Sequence, residues 1–455
     1  MAWNYHLLLF ISTLVCHVLA LAAAVEVEPD KADLDLTTSW NGFHLKRAVP
    51  IVARSPDRLS TRVSKLKKLN RKHHVHPRSA ASLLAKRNQG PGFSVKNGIQ
   101  NISAVGDFST SYAIQCVWDS TPVWLTFDTA SSDTWVVKSG FRCENNLGDK
   151  QDQDWCGFGQ PHIQDFGLGK LTEIHFHRSY ASGEDVSGPM GASDISCGGM
   201  TVYNQQVGLA NRTYWHGDNV TVGVLGLAYP SLTSGYLGGP KDETEWNNYP
   251  YTPWLTKAIA QGAMNPMFSV WLDRNSSDGI LTWGGLPRPA ALKLGRLAST
   301  DLIIAKLDDR EKSAWKPSFY TIIPDGLTWG TRTDTGKYPY IVDTGTTMIH
   351  VPPPLAEAIA AAFEPQAVYL YQWGSYFVPC DSIAPTFAVI ISGVRFWINP
   401  ADMIFKDLVD PGTGYCATAI TTGGSGPYIL GDVFLQNVLA VFDVGNAEMR
   451  FYARR

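Results

Sequence analysis

Apolar residues fall along most of this chain in short runs, many of them alternating with polar positions and separated by Gly, Pro, Asn and Ser. Residues 112–118, 123–127, 268–272 and 439–443 are examples. Successive side chains of a strand point to opposite faces, so these runs predict a mainly β protein. Helical spacing is rare. Thr252 and Pro253 read as an N-cap followed by Pro at the first helical position, with Trp254, Leu255, Ala258 and Ile259 on one face and Gly262 as the stop. The Ala-rich stretch 354–363 reads as a second helix. Two of the predicted strands end in nearly the same words: Phe127-Asp128-Thr129-Ala130-Ser131-Ser132 and Val342-Asp343-Thr344-Gly345-Thr346-Thr347. Each is followed later by two apolar residues and a glycine, Val224-Leu225-Gly226 and Ile429-Leu430-Gly431. The repeat predicts two related lobes. Glycine inside a strand marks close backbone approach, so each Asp loop is expected to thread against its glycine. The linker between the halves is expected within 284–297.

Composition narrows the class. The 455 residues exceed one typical domain, and only 17% are charged, which fits a globular, turn-rich protein. Residues 1–24 carry no Lys, Arg, Asp or Glu and end in Ala22-Ala23-Ala24. They read as a secretory signal peptide, although a positive n-region is missing; a retained anchor is the alternative. Residues 25–87 hold 14 basic and 6 acidic residues, net +8, leaving 24 basic and 35 acidic in 88–455, net −11. The densest basic run, 62–78, follows a signal and precedes the dibasic pair Lys86-Arg87, so a removable propeptide is expected rather than a nucleic-acid-binding tail. Lys46-Arg47 is a second candidate cut. The division read here is 1–24 signal, 25–87 propeptide, 88–290 first lobe and 291–455 second lobe.

Cys16 lies in the signal, and the six cysteines beyond it imply disulfides in a secretory chain. Fifteen pairings exist; nearest-neighbour logic favours Cys143–Cys156 and Cys380–Cys416, leaving Cys116–Cys197. Neither a CxxC pair nor a His cluster points to a metal. Asn101, Asn211, Asn219 and Asn275 each head a glycosylation sequon.

The two Asp sentences resemble those of the pepsin-like aspartic proteases, most closely the secreted or vacuolar fungal kind. The resemblance spans 105–455. It includes Tyr180-Ala181-Ser182-Gly183 where the family places a mobile flap, the run from Gly223 to Ser231, and Ile429-Leu430-Gly431-Asp432-Val433-Phe434. It implies a bilobal fold of two β-barrel-like lobes around a cleft. It also implies an acid endopeptidase in which Asp128 and Asp343 share one proton and activate a water. Pepsin's own dyad is the standard worked case of two carboxylates that cannot both ionise. Thr129 and Thr344 are expected to brace the two loops, while Ser131 and Thr346 hydrogen-bond the outer carboxylate oxygens beside Gly345. Trp135 is expected to give its indole N–H to Tyr180, with Ser182 and Gly183 in the flap. Polypeptides are the expected partners, with the propeptide as an intramolecular inhibitor. No cofactor, metal, nucleic acid or membrane anchor is implied, and a monomer is the default.

Three departures stand out. Ala130 replaces the glycine of the first motif, Ala181 replaces the glycine after the flap Tyr, and Val222 stands where relatives often carry an acid. Segment 142–170 is longer and more acidic than in the simplest members, so an unusual first-lobe rim is expected. Two other classes compete with this reading: a non-catalytic peptide-binding protein on the same scaffold, and a two-carboxylate carbohydrate hydrolase, whose chemistry does not call for twinned Asp-Thr-Gly loops.

Overall fold

The computed structural model describes residues 44–47, 62–70, 96–98, 110–240, 243–244, 247–272, 278–287, 294–306 and 316–454, all within one compact unit. The signal peptide, the sequons at Asn101 and Asn275, most of the propeptide and the centre of the linker lie outside the described residues.

Strands dominate, as the alternating runs predict. The Asp128 strand, Thr121–Asp128, runs parallel to Gly223–Gly226 with Asp128 opposite Gly226. The chain then turns and returns as Thr134–Glu144, antiparallel to the other edge of Gly223–Gly226. The second half repeats this: Tyr340–Val342 lies parallel to Tyr428–Leu430, and Ile349–Val351 lies antiparallel to it on the far side. Each Asp loop therefore crosses from one side of a glycine-ended strand to the other. That crossing requires glycine, because a Cβ at Gly226 would stand 2.6 Å from the Ser131 carbonyl oxygen, and one at Gly431 would stand 2.3 Å from that of Thr346. Apolar residues just before each aspartate seat the loops, with Phe127 and Val342 fully buried.

The halves also share a sheet. Phe268–Leu272 pairs with Val438–Asp443, so strands from both halves lie edge to edge in the largest sheet. Phe268 and Phe442 stack there at 4.5 Å, with Tyr320 edge-on to both. A strand of the basic run, Arg62–Asn70, lies in the same sheet between Asp278–Trp283 and Thr110–Trp118. This basic segment is thus built into the body rather than trailing from it.

Both helices differ at their ends from the expectation. The first spans Trp254–Ala260, and Pro253 is its N-cap with no side-chain hydrogen bond. Thr252 does not cap it; its carbonyl accepts from the Gln205 amide instead. Gly262 ends the turn at φ +69°. The second spans Pro353–Ala360 rather than 354–363, with Pro352 as its N-cap and Ala361 closing it as the C-cap. Among the described residues three disulfides are present. Cys116–Cys197 joins directly paired strand residues, Cys143–Cys156 closes a short loop, and Cys380–Cys416 lies in the second half.

Candidate active site

The two aspartate loops are locked together by their threonines. The Thr129 hydroxyl donates to the Val342 carbonyl at 2.9 Å and accepts the Thr344 N–H at 3.0 Å. The Thr344 hydroxyl donates to the Phe127 carbonyl at 3.0 Å and accepts the Thr129 N–H at 3.2 Å. Both threonines are fully buried. Each hydroxyl satisfies one donor and one acceptor of the opposite loop, so the grip leaves no orphaned backbone group at the junction.

Inside that grip each carboxylate is held in the same way. Ala130 N–H donates to Asp128 Oδ1 at 2.8 Å, and Gly345 N–H donates to Asp343 Oδ1 at 2.7 Å. The Ser131 hydroxyl donates to Asp128 Oδ2, and the Thr346 hydroxyl donates to Asp343 Oδ2 at 2.6 Å. Both aspartates are 5% exposed. Burial, followed by the charge of Asp128, pushes the Asp343 carboxyl up to about 7; the bonds from Thr346 and Gly345 oppose the rise without cancelling it. A proton shared by the pair is the physical consequence, since two buried carboxylates within hydrogen-bonding reach repel when both are ionised.

Ala130 sits outside the left-handed region of backbone space, so its methyl carries no backbone strain, and it keeps the N–H that the carboxylate uses. Gly345 is the constrained member of the pair: a Cβ there would lie 2.8 Å from Asp128 Oδ1 and 3.2 Å from Asp343 Oδ1. Gly345→Ala is therefore expected to lower kcat/KM about tenfold to a hundredfold by displacing a carboxylate. Ala130→Gly is expected to stay within a few-fold of the parent. Steady-state kinetics on both variants check this, and equal losses would contradict it.

A hairpin, Lys170–Ser179 and Asp185–Cys197, carries Tyr180, Ser182 and Gly183 in its turn, with Tyr180 near enough to Asp128 to feel its charge. Gly183 has φ +88° with open space around it. The Trp135 indole donates to the Tyr180 hydroxyl at 2.8 Å. Burial pushes the Tyr180 phenol far above its ordinary range, so it stays a neutral hydroxyl. Trp215 stands edge-on to Tyr180 at 5.4 Å and to Trp135 at 5.3 Å, and Phe158 stacks on Trp215 at 5.8 Å. Phe158 follows Cys156, so the disulfide-closed insertion in 142–170 supplies the back of this aromatic wall. Its Trp155 packs beside Tyr214 and His216.

Several of these residues escaped the sequence reading. Glu184 is buried at the flap turn, where it accepts the His216 backbone N–H at 2.8 Å and the Ser182 hydroxyl at 3.0 Å. Asp133 is buried and accepts from the Tyr251 hydroxyl at 2.6 Å and the Ser234 N–H at 2.8 Å. His350 is the third. It stands seven residues after Asp343, as Trp135 stands seven after Asp128, so the repeat itself was the available signal. Its Nε2 has no hydrogen-bond partner, and burial pushes the ring down to about 4. Asn211 is exposed on its strand and Asn219 is part-exposed with φ +61°. Among the described residues no group of His, Cys, Asp and Glu is arranged to hold a metal, and no helix is long and apolar enough to cross a membrane.

Comparison with known proteins gives a consistent result. A family model of eukaryotic aspartyl proteases matches residues 119–453. A probable aspartic-type endopeptidase of Aspergillus fumigatus is 38% identical over 72% of this chain and 75% of its own length. Cathepsin E of Mus musculus is 30% identical over 71% and 75%. An acid protease of Saccharomycopsis fibuligera is 25% identical over 71% and 75%. The crystal structure of an aspartic proteinase from Irpex lacteus shares the fold, with TM-score 0.55 over 76% of this chain and 94% of that one, at 19% identity.

Proposed function

The chain belongs to the eukaryotic aspartyl protease family and is an aspartic-type endopeptidase, and from that premise we propose that Asp128 and Asp343 are its catalytic pair in a secreted acid protease made as a zymogen. The observation that carries the proposal is the matched grip: two buried carboxylates on interlocked loops, each with one N–H and one hydroxyl donor, and one of them pushed up. In the singly protonated pair the ionised partner takes a proton from a water lying between them. The oxygen of that water attacks the scissile carbonyl carbon, and the protonated partner donates to the developing oxyanion. A proton then passes to the leaving amine as the C–N bond breaks. The titration belongs to the pair, so neither Asp is assigned a private role.

Thr129 and Thr344 hold the two aspartate loops against each other. Ser131 and Thr346 favour the ionised form by donating to the outer oxygens. Tyr180, held by Trp135, closes over an extended polypeptide substrate that lies as an added strand beneath the turn. Ala130 retains the donor its position needs, so it lends no weight to a non-catalytic binding role. Because one member must remain protonated, kcat/KM is expected to fall as pH rises through the Asp343 value, about 7. A pH–rate profile on a denatured protein tests this; a rate that holds level to pH 8 contradicts it.

Residues 25–87 act as the propeptide in this reading, with the cut at Lys86-Arg87 and Lys46-Arg47 as the alternative. A segment of net +8 on a body of net −11 is attracted at neutral pH and released as body carboxylates protonate. The strand Arg62–Asn70 within the body sheet supports a tightly held leader. The full-length chain is expected to be silent at pH 7 and to activate at pH 3; equal activity at both overturns the zymogen role. Delivery to a vacuole is the alternative to export, and a monomer the expected state.

A further inference from the structure

Three residues before Tyr180, on the edge-facing strand of the hairpin, lies His177. His175 shares its face of the strand, as residues two apart do. One carboxylate, Glu243, spans the two rings: Oε1 meets His175 Nε2 at 2.7 Å, and Oε2 meets His177 Nδ1. The remaining ring nitrogens also face acceptors. His175 Nδ1 is 2.8 Å from the Gly238 carbonyl, and His177 Nε2 is 2.7 Å from Asp185 Oδ2. A neutral imidazole has a single N–H, so all four bonds are made only when both rings are imidazolium. Two cations then face two carboxylates, and the charges cancel.

The network ties the hairpin to the Asp128 loop. Glu243 follows the strand Gly235–Leu237, which pairs along the free edge of Lys170–Ser179. The residue before that strand, Ser234, donates its N–H to Asp133 in the Asp128 loop and accepts the His177 N–H at 3.2 Å. Besides the direct Trp135–Tyr180 bond, a second path from the Asp128 loop to the flap turn therefore runs through Asp133, Ser234 and His177. We propose that His177, with Glu243 and Asp185, is a positioning clamp that seats the Tyr180 turn beside Asp128 and holds only while the His177 imidazole is protonated. The proposal rests on the reading of Asp128 and Asp343 as the catalytic pair.

The groups facing the clamp agree in sign. His177 is raised to about 9, first by its bond to Asp185, with burial opposing and Glu243 adding to the rise. Burial acts to raise Asp185, but the bonds from His177 and Ser179 and the charge of Arg212 outweigh it and lower the carboxyl. Arg178 neighbours His177 on its own strand, and the Tyr236 ring stacks on His175 at 5.6 Å. A raised His contributes stability that is complete below its ordinary value of 6.5 and lost as pH rises toward about 9. A lowered Asp contributes above its ordinary value of 3.8 and is lost as pH falls below it. The clamp is complete across the acid range in which the pair works.

The test uses the Asp343→Asn protein, which on that reading cannot digest itself. Amide hydrogen exchange of residues 174–186 is measured at pH 6 and pH 9 and corrected for intrinsic rates. Protection is expected to fall about tenfold at pH 9, a figure discounted for a part-exposed site. His177→Gln is expected to show the low protection at both pH values, with exchange of 268–272 unchanged. Glu243→Gln, which keeps the shape and removes the charge, is expected to follow it. With Asp343 restored, His177→Gln raises KM for a peptide spanning the cleft at pH 5 while kcat stays within about twofold. Equal protection of the parent at both pH values, or full protection in both variants at pH 6, overturns the clamp. Cleavage by the Asp343→Asn protein overturns the catalytic reading instead and leaves the exchange result standing.

Discussion

Asp343→Asn is expected to reduce peptide-bond cleavage by about 10⁴-fold or more while the protein still folds. The amide is nearly isosteric with the carboxylic acid. Its oxygen can still accept from the Gly345 N–H, and its NH2 can donate to the Thr346 hydroxyl oxygen, which reverses that bond without leaving either group unpaired. What it loses is the exchangeable proton of the pair. Asp128 then has no partner with which to divide the roles of taking a proton from water and giving one to the oxyanion. The substitution also removes a buried ionisable group whose carboxyl is pushed up by burial and by Asp128. Stability above pH 7 is therefore expected to hold or rise, since the folded parent must there carry a second unwelcome charge. Circular dichroism and thermal melting at pH 5 and 8 separate lost chemistry from lost structure. A variant that is folded and still cleaves would contradict the assignment, and a variant unfolded at both pH values would show that the carboxylate is structural.

His350 is expected to cost the fold stability as pH falls toward 4. His350 pairs in register with Ile429 on one neighbouring strand and Thr421 on the other; it is buried, and burial alone lowers it to about 4. The unfolded chain binds a proton near 6.5, and the folded chain does not until about 4. Stability from this group is therefore whole above pH 6.5, drains as pH falls, and is lost by pH 4. The shift corresponds to roughly 3 kcal/mol. His350→Leu removes both the titration and the unpartnered Nε2. Its melting temperature is expected to change much less than the parent's between pH 7 and 4, whatever its absolute value. A parallel dependence in parent and variant would contradict this. Asp343 and His350 thus act in opposite senses: the pair needs a proton, and the second lobe is more stable with His350 neutral.

Much of the site was legible because it is written locally and twice. The Asp-Thr-x-hydroxyl spacing places the donors of each carboxylate within three residues of it, and the strands end where the apolar runs end, at Asp128 and Val342. Gly226 and Gly431 were legible as close approaches because no side chain fits behind the loops. The first helix cap was misjudged because Thr252 has a competing tertiary use, its carbonyl serving Gln205. The clamp was not legible at all. His175 and Glu243 are 68 positions apart, and only the pairing of Gly235–Leu237 with the hairpin edge brings them together. Trp215 and Phe158 were invisible for the same reason: an aromatic in a β-rich chain carries no local mark of which ring it will meet.

The central claim is that this chain cuts polypeptides with the Asp128–Asp343 pair. Digestion of a denatured protein at pH 4.5 by the activated chain, with and without an equimolar statine-type transition-state mimic, tests it most directly. New peptide termini are expected without the mimic, and their suppression with it. Cleavage that the mimic leaves untouched, or a folded and activated chain that binds the mimic yet never cleaves, would contradict it.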